Sequence, residues 1–330
     1  MARLADLMLV SKTQGLVRWA ALLTVAATIF TGCGGKYEMP SETDKEARMG
    51  EYIYVEGYDW FEGASSMAMI YGHIYVAYSD EGAVKRYYAD AIPERDIVFD
   101  DVGRPFVLGV GSVGVAVADS SDGLSVKVFG LSGGAPTLVF KDPDWKSIGG
   151  LALDDAGNIY VSDPYRNFVR AYNSKGRLRF GTDLADSGFG IGHVLGPQGL
   201  LVDGQTLFIA EADGGKAQVQ KVSTVEPQKG ILISPEVPLL RSFVDDDGGE
   251  TLLLRPIAVS IDDEGRILVL DAGLGKILRY TDEGVSDLVV NSPDAGGPQN
   301  LAAPVALGGY NNRVYTLDRD TGRVLRWDLR

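Results

Sequence analysis

A short apolar run ending on an acidic or polar residue, then a turn, then a second run closing on a basic or aromatic residue, occurs six times in this chain. The clearest copy is Gly150-Leu-Ala-Leu-Asp154, a turn through Gly157-Asn158, Ile159-Tyr-Val-Ser-Asp163, and then Phe168-Val-Arg-Ala-Tyr172. One such unit cannot bury both its faces alone, so copies must stack on one another. The second runs start at Ile74, Val115, Ile159, Leu207, Ile267 and Val314, at intervals of 41, 44, 48, 60 and 47 residues. They are rich in Val, Ile, Leu and Tyr, which suit a pleated, packed surface. No long helical period appears after residue 50.

Those intervals have the length of one four-stranded propeller blade. The expected fold is all-β: a six-bladed β-propeller of four-stranded antiparallel blades over residues 51–330, as one domain. The central strand of a unit is exemplified by 151–153 and 258–261. The third strands end at Arg86-Tyr87, Lys221-Val222, Arg279-Tyr280 and Arg326-Trp327. The weaker outer strands are expected at 97–99, 137–140, 178–180 and 288–290. The sixth unit stops after its third strand, so segment 51–55 is expected to pair with 323–327 and close the ring, which removes exposed edges. Turns 154–158 and 262–266 place a glycine where positive φ is expected. Glycine, at 42 of 330 residues, suits a fold with many tight turns.

The run from Gly150 to Asp163, followed by a strand with basic flanks, resembles the NHL repeat. Pro197-Gln-Gly-Leu-Leu-Val-Asp203 and Pro304-Val-Ala-Leu307 carry a Pro-x-Gly-like entry of the same kind. The resemblance covers most of 64–330 and is clearest in units three to six. Gluconolactonase-like propellers share the strand pattern. The resemblance implies a propeller; it leaves function open, because propellers host both enzymes and binding platforms.

Residues 1–33 read as an export signal. Arg18 precedes an apolar run from Trp19 to Phe30, too short for a comfortable membrane span. The run ends at Phe30-Thr31-Gly32-Cys33, which resembles a bacterial lipobox, with Phe30 departing from the usual aliphatic residue. Cys33 is the one cysteine in the chain, so a disulfide framework within it is excluded and an acyl acceptor is expected. The lipoprotein signal peptide is thus 1–33, with Met8 an alternative start. Gly34 after the cysteine implies, by the same resemblance, a bacterial outer membrane lipoprotein, facing the periplasm or the surface. Residues 34–50 are polar and aperiodic and read as a flexible tether.

The net charge of −14 argues against nucleic acid as a partner. The runs end at Tyr78, Asp119, Asp163, Glu211, Asp271 and Asp318. Five carboxylates in a ring could surround a cation, but a repeated residue is expected to meet a repeated need: accepting backbone N–H bonds in the following turn. Arg279 and Arg326 are expected to be blade-surface charges.

In propellers the loops before the innermost strands and those between second and third strands share a face, where sites usually lie. The channel positions align to Ser65, Phe106, Gly149, Gln198, Ile257 and Val305. Gluconolactonase-like enzymes hold a divalent metal with Glu, Asn and Asp at this place, whereas here Gln198 is counted as the one polar oxygen. Zinc-dependent NHL lyases need several histidines; the chain has His73 and His193. His193, in a glycine-rich stretch before the fourth unit, is the better candidate as a ligand donor or general base, and His73 is given no role. Asp245-Asp-Asp-Gly-Gly-Glu250 reads as a solvated acidic loop, since three consecutive carboxylates do not converge on calcium. It lies in the longest interval, with Pro227, Pro235 and Pro238. Tyr165 and Arg166 suit recognition. Arg104 and Arg255, each before an entry proline, either frame an anionic ligand or pair with the acidic ring; pairing is expected.

The reading is a lipid-anchored binding or scaffold module without its own catalysis. Its partner is an envelope protein, peptide or glycan, met by Arg104, Tyr165, Arg166, His193, Gln198 and Arg255, with no metal or other cofactor. The alternative is a lactonase-like hydrolase or lyase dependent on Ca or Zn at the channel mouth, and a purely architectural role stays open.

Overall fold

The computed structural model describes residues 51–189, 192–213, 215, 217–225, 240–244 and 249–329. The expected signal peptide, Cys33, the expected tether, Asp245–Gly248 and the three prolines of the long insert lie outside these residues. Among the described residues the regular structure is β throughout, apart from one 3-10 turn at Pro293–Ala295.

The described part begins with β1 (Tyr52–Tyr58) and then builds one sheet after another. The first is β2 (Ala64–Ile70), β3 (His73–Tyr78) and β4 (Ala83–Tyr88). The second is β5 (Pro105–Gly111), β6 (Gly114–Asp119), β7 (Ser125–Gly130) and β8 (Gly133–Phe140). The third is β9 (Gly150–Leu153), β10 (Ile159–Asp163) and β11 (Phe168–Tyr172). A short parallel pair follows, β12 (Asp186–Ser187) with β13 (His193–Val194). The fourth sheet is β14 (Pro197–Asp203), β15 (Thr206–Glu211) and β16 (Gln218–Ser223), followed by a two-stranded pair, β17 (Ser242–Val244) and β18 (Glu250–Leu252). The fifth is β19 (Pro256–Ile261), β20 (Ile267–Asp271), β21 (Lys276–Tyr280) and β22 (Ser286–Val289). The sixth is β23 (Pro304–Tyr310), β24 (Arg313–Asp318) and β25 (Arg323–Leu329).

All six runs from the repeat start within one residue of a second strand: β3, β6, β10, β15, β20 and β24. Each second strand is buried on both faces because a neighbouring sheet covers each side, which is why these segments read as continuous apolar runs rather than alternating ones. The expected turns are present, with Gly157 and Gly265 both at φ 76°.

The outer strands are less regular than expected. Segment 137–140 falls within β8, and 288–289 within β22. Segment 97–99 contributes only a bridge from Phe99 to Gly134, and 178–180 only one from Leu178 to Tyr172. These segments sit at a sheet's rim, where only one neighbour rewards extension, so side-chain packing and turns decide their path.

β1 pairs antiparallel with β25, from Tyr52 opposite Leu329 to Tyr58 opposite Val324. The pairing therefore runs beyond 51–55, to residue 58. Tyr52 is buried and its hydroxyl donates to Asp262 at 3.2 Å, tying β1 to the fifth sheet as well as the sixth. Burial, then the Asp262 carboxylate, drives the Tyr52 phenol well above its usual range. Arg279 is not the surface charge expected of it. It is 1% exposed, and its Nε donates to Asp287 at 3.1 Å.

The innermost strands β2, β5, β9, β14, β19 and β23 touch one another in succession, and β23 touches β2. Glycines make this approach possible. A Cβ at Gly150 would collide with the Gln198 carbonyl, and one at Gly199 with the Ile257 carbonyl. Glycine in these strands is therefore a packing requirement as much as a turn requirement.

Candidate functional site

The acidic ends of the second strands hold the candidate face together. Asp163 is fully buried. Its Oδ2 accepts N–H bonds from Lys146 (2.7 Å) and Ser147 (3.2 Å), in the loop entering β9. Its Oδ1 accepts from the Ser147 hydroxyl (2.6 Å) and from the N–H groups of Tyr165 and Arg166 (both 3.0 Å), in the loop after β10. One carboxylate thus joins the two loops of its unit. Asp271 does the same for Leu254 and Arg255 on one side and Gly273 and Leu274 on the other. Asp318 joins Ala302 and Ala303 to Thr321. Asp119 joins Gly103 and Arg104 to Ser121. Glu211 accepts from Leu195 N–H and from the Gln218 side chain.

The structural reading of the ring holds for the four aspartates, each of which accepts backbone N–H bonds from the following turn; Glu211 instead takes the Gln218 and Gln220 side-chain amides. The bonds to the entry loop, 15–17 residues upstream, are an addition visible only in three dimensions. Burial raises the Asp119 carboxyl, but donors from Gly103, Ser121 and Arg104 outweigh it and hold the group down at about 2. Its folded value is depressed, so its contribution to stability is complete above the ordinary carboxylate range and fades only as pH falls toward about 2. The first unit has Tyr78 in place of an acid, and its hydroxyl lies 2.8 Å from that of Tyr87.

A channel of about 490 Å³ runs between the six innermost strands. All six aligned channel positions line it: Ser65, Phe106, Gly149, Gln198, Ile257 and Val305. Ser65 adds a second side-chain oxygen to that of Gln198, and its hydroxyl faces the carbonyls of Ala77 (3.0 Å) and Pro105 (3.2 Å). No Asp, Glu, His or Lys lines the channel among the described residues. Its charged groups are Arg255 and Arg319. A divalent cation would find hydroxyls, one amide and backbone carbonyls, with two guanidinium groups opposing it. That donor set fits neither calcium, which wants several carboxylate or carbonyl oxygens, nor zinc, which wants imidazole or thiolate. Among the described residues no three His, Cys, Asp or Glu side chains come together as a metal site.

Arg104, Arg166 and Arg255 do not pair with the acidic ring. They give it their backbone N–H groups. Those carboxylates are then occupied, and the guanidinium groups of Arg104, Arg166, Arg255 and Arg319 make no ion pair or hydrogen bond among the described residues. Arginines on the third strands behave oppositely. Arg86 binds Glu94 at 2.6 Å, Arg170 binds Asp183 at 2.6 Å and Asp142 at 2.8 Å, and Arg326 binds Asp328 at 2.5 Å.

Tyr165 is 77% exposed beside Arg166. His193 does not line the channel. It is exposed in β13, where its Nδ1 meets the Asp186 carboxylate and its carbonyl accepts from the Gln220 amide. The six residues expected on one face therefore divide: Gln198 and Arg255 line the channel, Arg104, Tyr165 and Arg166 stand on the loops around it, and His193 sits at the parallel pair outside it. Arg319 is a channel residue that sequence reasoning missed. The signal was present, since it directly follows Asp318 where other units have Ser79, Ser120, Pro164, Ala212 or Ala272. His73, given no role, binds Glu94 through Nδ1 at 2.7 Å on the opposite face, where Arg86 also reaches the Leu131 carbonyl. Burial raises the Glu94 carboxyl, but Arg86 and then His73 outweigh it, leaving it below its usual range.

No family model matches the chain, and no curated protein matches it in sequence. Solved structures do match in shape. The nidogen of a nidogen/laminin complex aligns with a TM-score of 0.56 at 19% identity, over 75% of this chain and 86% of that one. Virginiamycin B lyase from Staphylococcus aureus aligns at 0.54 and 11% identity, over 85% of this chain and all of the lyase. A protein of unknown function from Bacteroides thetaiotaomicron aligns at 0.52 and 14% identity, over 83% and 72%. The chain has a β-propeller fold. At these identities the likeness carries the fold and nothing finer. In a propeller the stapled loops surround one mouth of the central channel, so the four unpaired arginines and Tyr165 belong to a single face.

Proposed function

We propose that this protein is an exported, lipid-anchored binding module of the bacterial envelope, built as a six-bladed NHL-type propeller and without catalysis of its own. β1 supplies the outer strand of the sixth blade and closes the ring, a reading supported by its pairing with β25. The face around the channel mouth meets the partner, a protein, peptide or glycan. One observation carries this reading: in an acidic chain, four arginines and an exposed tyrosine stand unengaged on the same face, held in place by buried carboxylates. Tyr and Arg are the residue types that anchor interfaces, and loops on a rigid scaffold are the usual place for them.

The second reading is a metal-dependent hydrolase or lyase. Its support is the shape likeness to virginiamycin B lyase and to a streptogramin B lyase, the latter with a TM-score of 0.53 at 12% identity. The donor set of the channel opposes it. Elemental analysis of the purified protein separates the two. The binding reading expects less than stoichiometric calcium and zinc after dialysis, and no change in thermal unfolding with chelator. One tightly held metal per chain, released together with stability or activity, would sink it. For the anchor, Cys33→Ser is expected to move the protein from the membrane fraction to the soluble fraction. Retention of that variant in membranes counts against lipidation at Cys33.

A further inference from the structure

The channel differs in charge from the rest of the molecule. The chain carries −14, yet the channel's charged side chains are Arg255 and Arg319, with no acid among the lining residues described. Both guanidinium groups lack a partner among the described residues, although nearby carboxylates are abundant. The reason is geometric. Asp271 is occupied by the N–H groups of Leu254, Arg255, Gly273 and Leu274, and Asp318 by those of Ala302, Ala303 and Thr321. The buried acids thus fix the backbone of the arginine-bearing loops without neutralising the arginine heads.

The rest of the wall is amphipathic. Phe106, Ile257 and Val305 give apolar contacts, half-buried at the wall, while Met67 and Ile148 behind them belong to the buried core. The Gln198 side-chain amide has no hydrogen-bond partner among the described residues, and the Gln198 carbonyl accepts from Ser162 at 2.7 Å, which fixes its backbone. The exposed wall is mixed, with Ser65, Gln198 and the two arginines beside the apolar contacts; a concave site of a few hundred cubic ångströms with a few convergent polar groups is the form that small ligands and chain ends occupy. Two guanidinium groups select a planar oxyanion, which each can bind through two N–H donors. A glycan end would want several aromatic faces; among the described lining residues Phe106 is the one aromatic.

We propose that the channel mouth binds the C-terminal carboxylate of a peptide whose last residues are apolar. The carboxylate sits against Arg255 and Arg319, Gln198 reads the last peptide group, and the terminal side chain enters the channel. This rests on the binding reading above and names the ligand class for the same face.

The test is calorimetric titration of the full-length protein in detergent with acetyl-Ala-Ala-Leu as the free acid and as its C-terminal amide. The acid is expected to bind, and the amide to bind at least tenfold more weakly, because a charge-assisted hydrogen bond to each arginine is lost. Arg255→Gln and Arg319→Gln are each expected to weaken the acid about tenfold or more and to leave the amide unchanged. Arg177→Gln, outside the channel, leaves both unchanged. Thermal unfolding of each variant reports whether it is folded. Affinity for the acid falls as salt rises. Equal binding of acid and amide overturns the proposal, as does unaltered binding by the two channel variants. Glucuronate bound through the same arginines in preference to the peptide acid overturns the peptide assignment in favour of an acidic sugar. Failure of all these ligands with a metal-free protein removes this ligand class and leaves the binding reading standing; a stoichiometric metal removes the reading itself.

Discussion

A chain begun at residue 59 is expected to lose cooperative folding. It would lack β1, and with it the whole antiparallel ladder to β25. Tyr52 and Tyr58 are buried at 2% and 6% exposure, and each such aromatic is worth about 3–5 kcal/mol when removed from a core. Loss of Tyr52 also uncovers Trp327 and Leu325 in its core cluster and leaves Asp262 without the Tyr52 hydroxyl, while loss of Tyr58 opens the cluster of Phe61 and Tyr87. Two such losses approach the roughly 5–15 kcal/mol by which a domain is stable. The bared edge of β25 is then a template for pairing with another chain. Thermal or urea unfolding followed by circular dichroism should show no sharp transition, and size exclusion should show aggregates. A monomeric truncated protein with an unchanged midpoint would contradict the role given to β1. The Tyr52→Ala variant offers a milder version, with an expected cost of about 3–5 kcal/mol.

The second large effect is expected at Asp163. Asp163→Ala removes the acceptor for four backbone N–H groups and one hydroxyl at a fully buried position. A buried donor left unsatisfied costs about 1–3 kcal/mol, and water entering the opened loops will satisfy some of them. A net loss of about 4 kcal/mol is expected, or roughly a 10 °C fall in midpoint for a domain of this size. Asp163→Asn should fare little better. Its amide group would place two further donors among donors that need an acceptor. The lost staple also frees the Tyr165–Arg166 loop, so hydrogen exchange should rise at Lys146, Ser147, Tyr165 and Arg166 before it rises in β10. A change in midpoint of under about 1 kcal/mol, with unaltered exchange in both loops, would show that the carboxylate is not what holds them.

The second strands were legible because each is buried on both faces, so its register is written as an unbroken apolar run; Ile159–Asp163 and Ile267–Asp271 have the bounds that the runs suggested. The pairing of the first segment with the last was legible because both ends of the array lacked a partner. The outer strands were less so. Phe99 is buried and Leu178 partly buried, yet each makes only a single bridge, and the short segments around them carry a weaker pattern. The four aspartates were recognisable as turn acceptors, but nothing in the local sequence shows that Asp163 also holds Lys146 and Ser147.

The candidate site divides in the same way. The alignment of repeats brought Ser65, Phe106, Gly149, Gln198, Ile257 and Val305 to one channel, because a repeated unit repeats its geometry. It could not say what the arginines do. Pairing of Arg104 and Arg255 with the acidic ring was the expectation, since opposite charges close in sequence usually meet. Tertiary structure decided otherwise, because the backbone reaches those carboxylates first and leaves the guanidinium groups to the channel mouth. By itself the sequence determined the all-β repeat, the register of its inner strands and the positions around the axis, all of which follow from local patterning of apolar and turn residues. Only the tertiary structure decided which charges are paired inside the fold and which stand unpaired around the channel. Hydrogen-bond satisfaction of a buried carboxylate depends on loops that are distant along the chain and adjacent only once the sheets have packed.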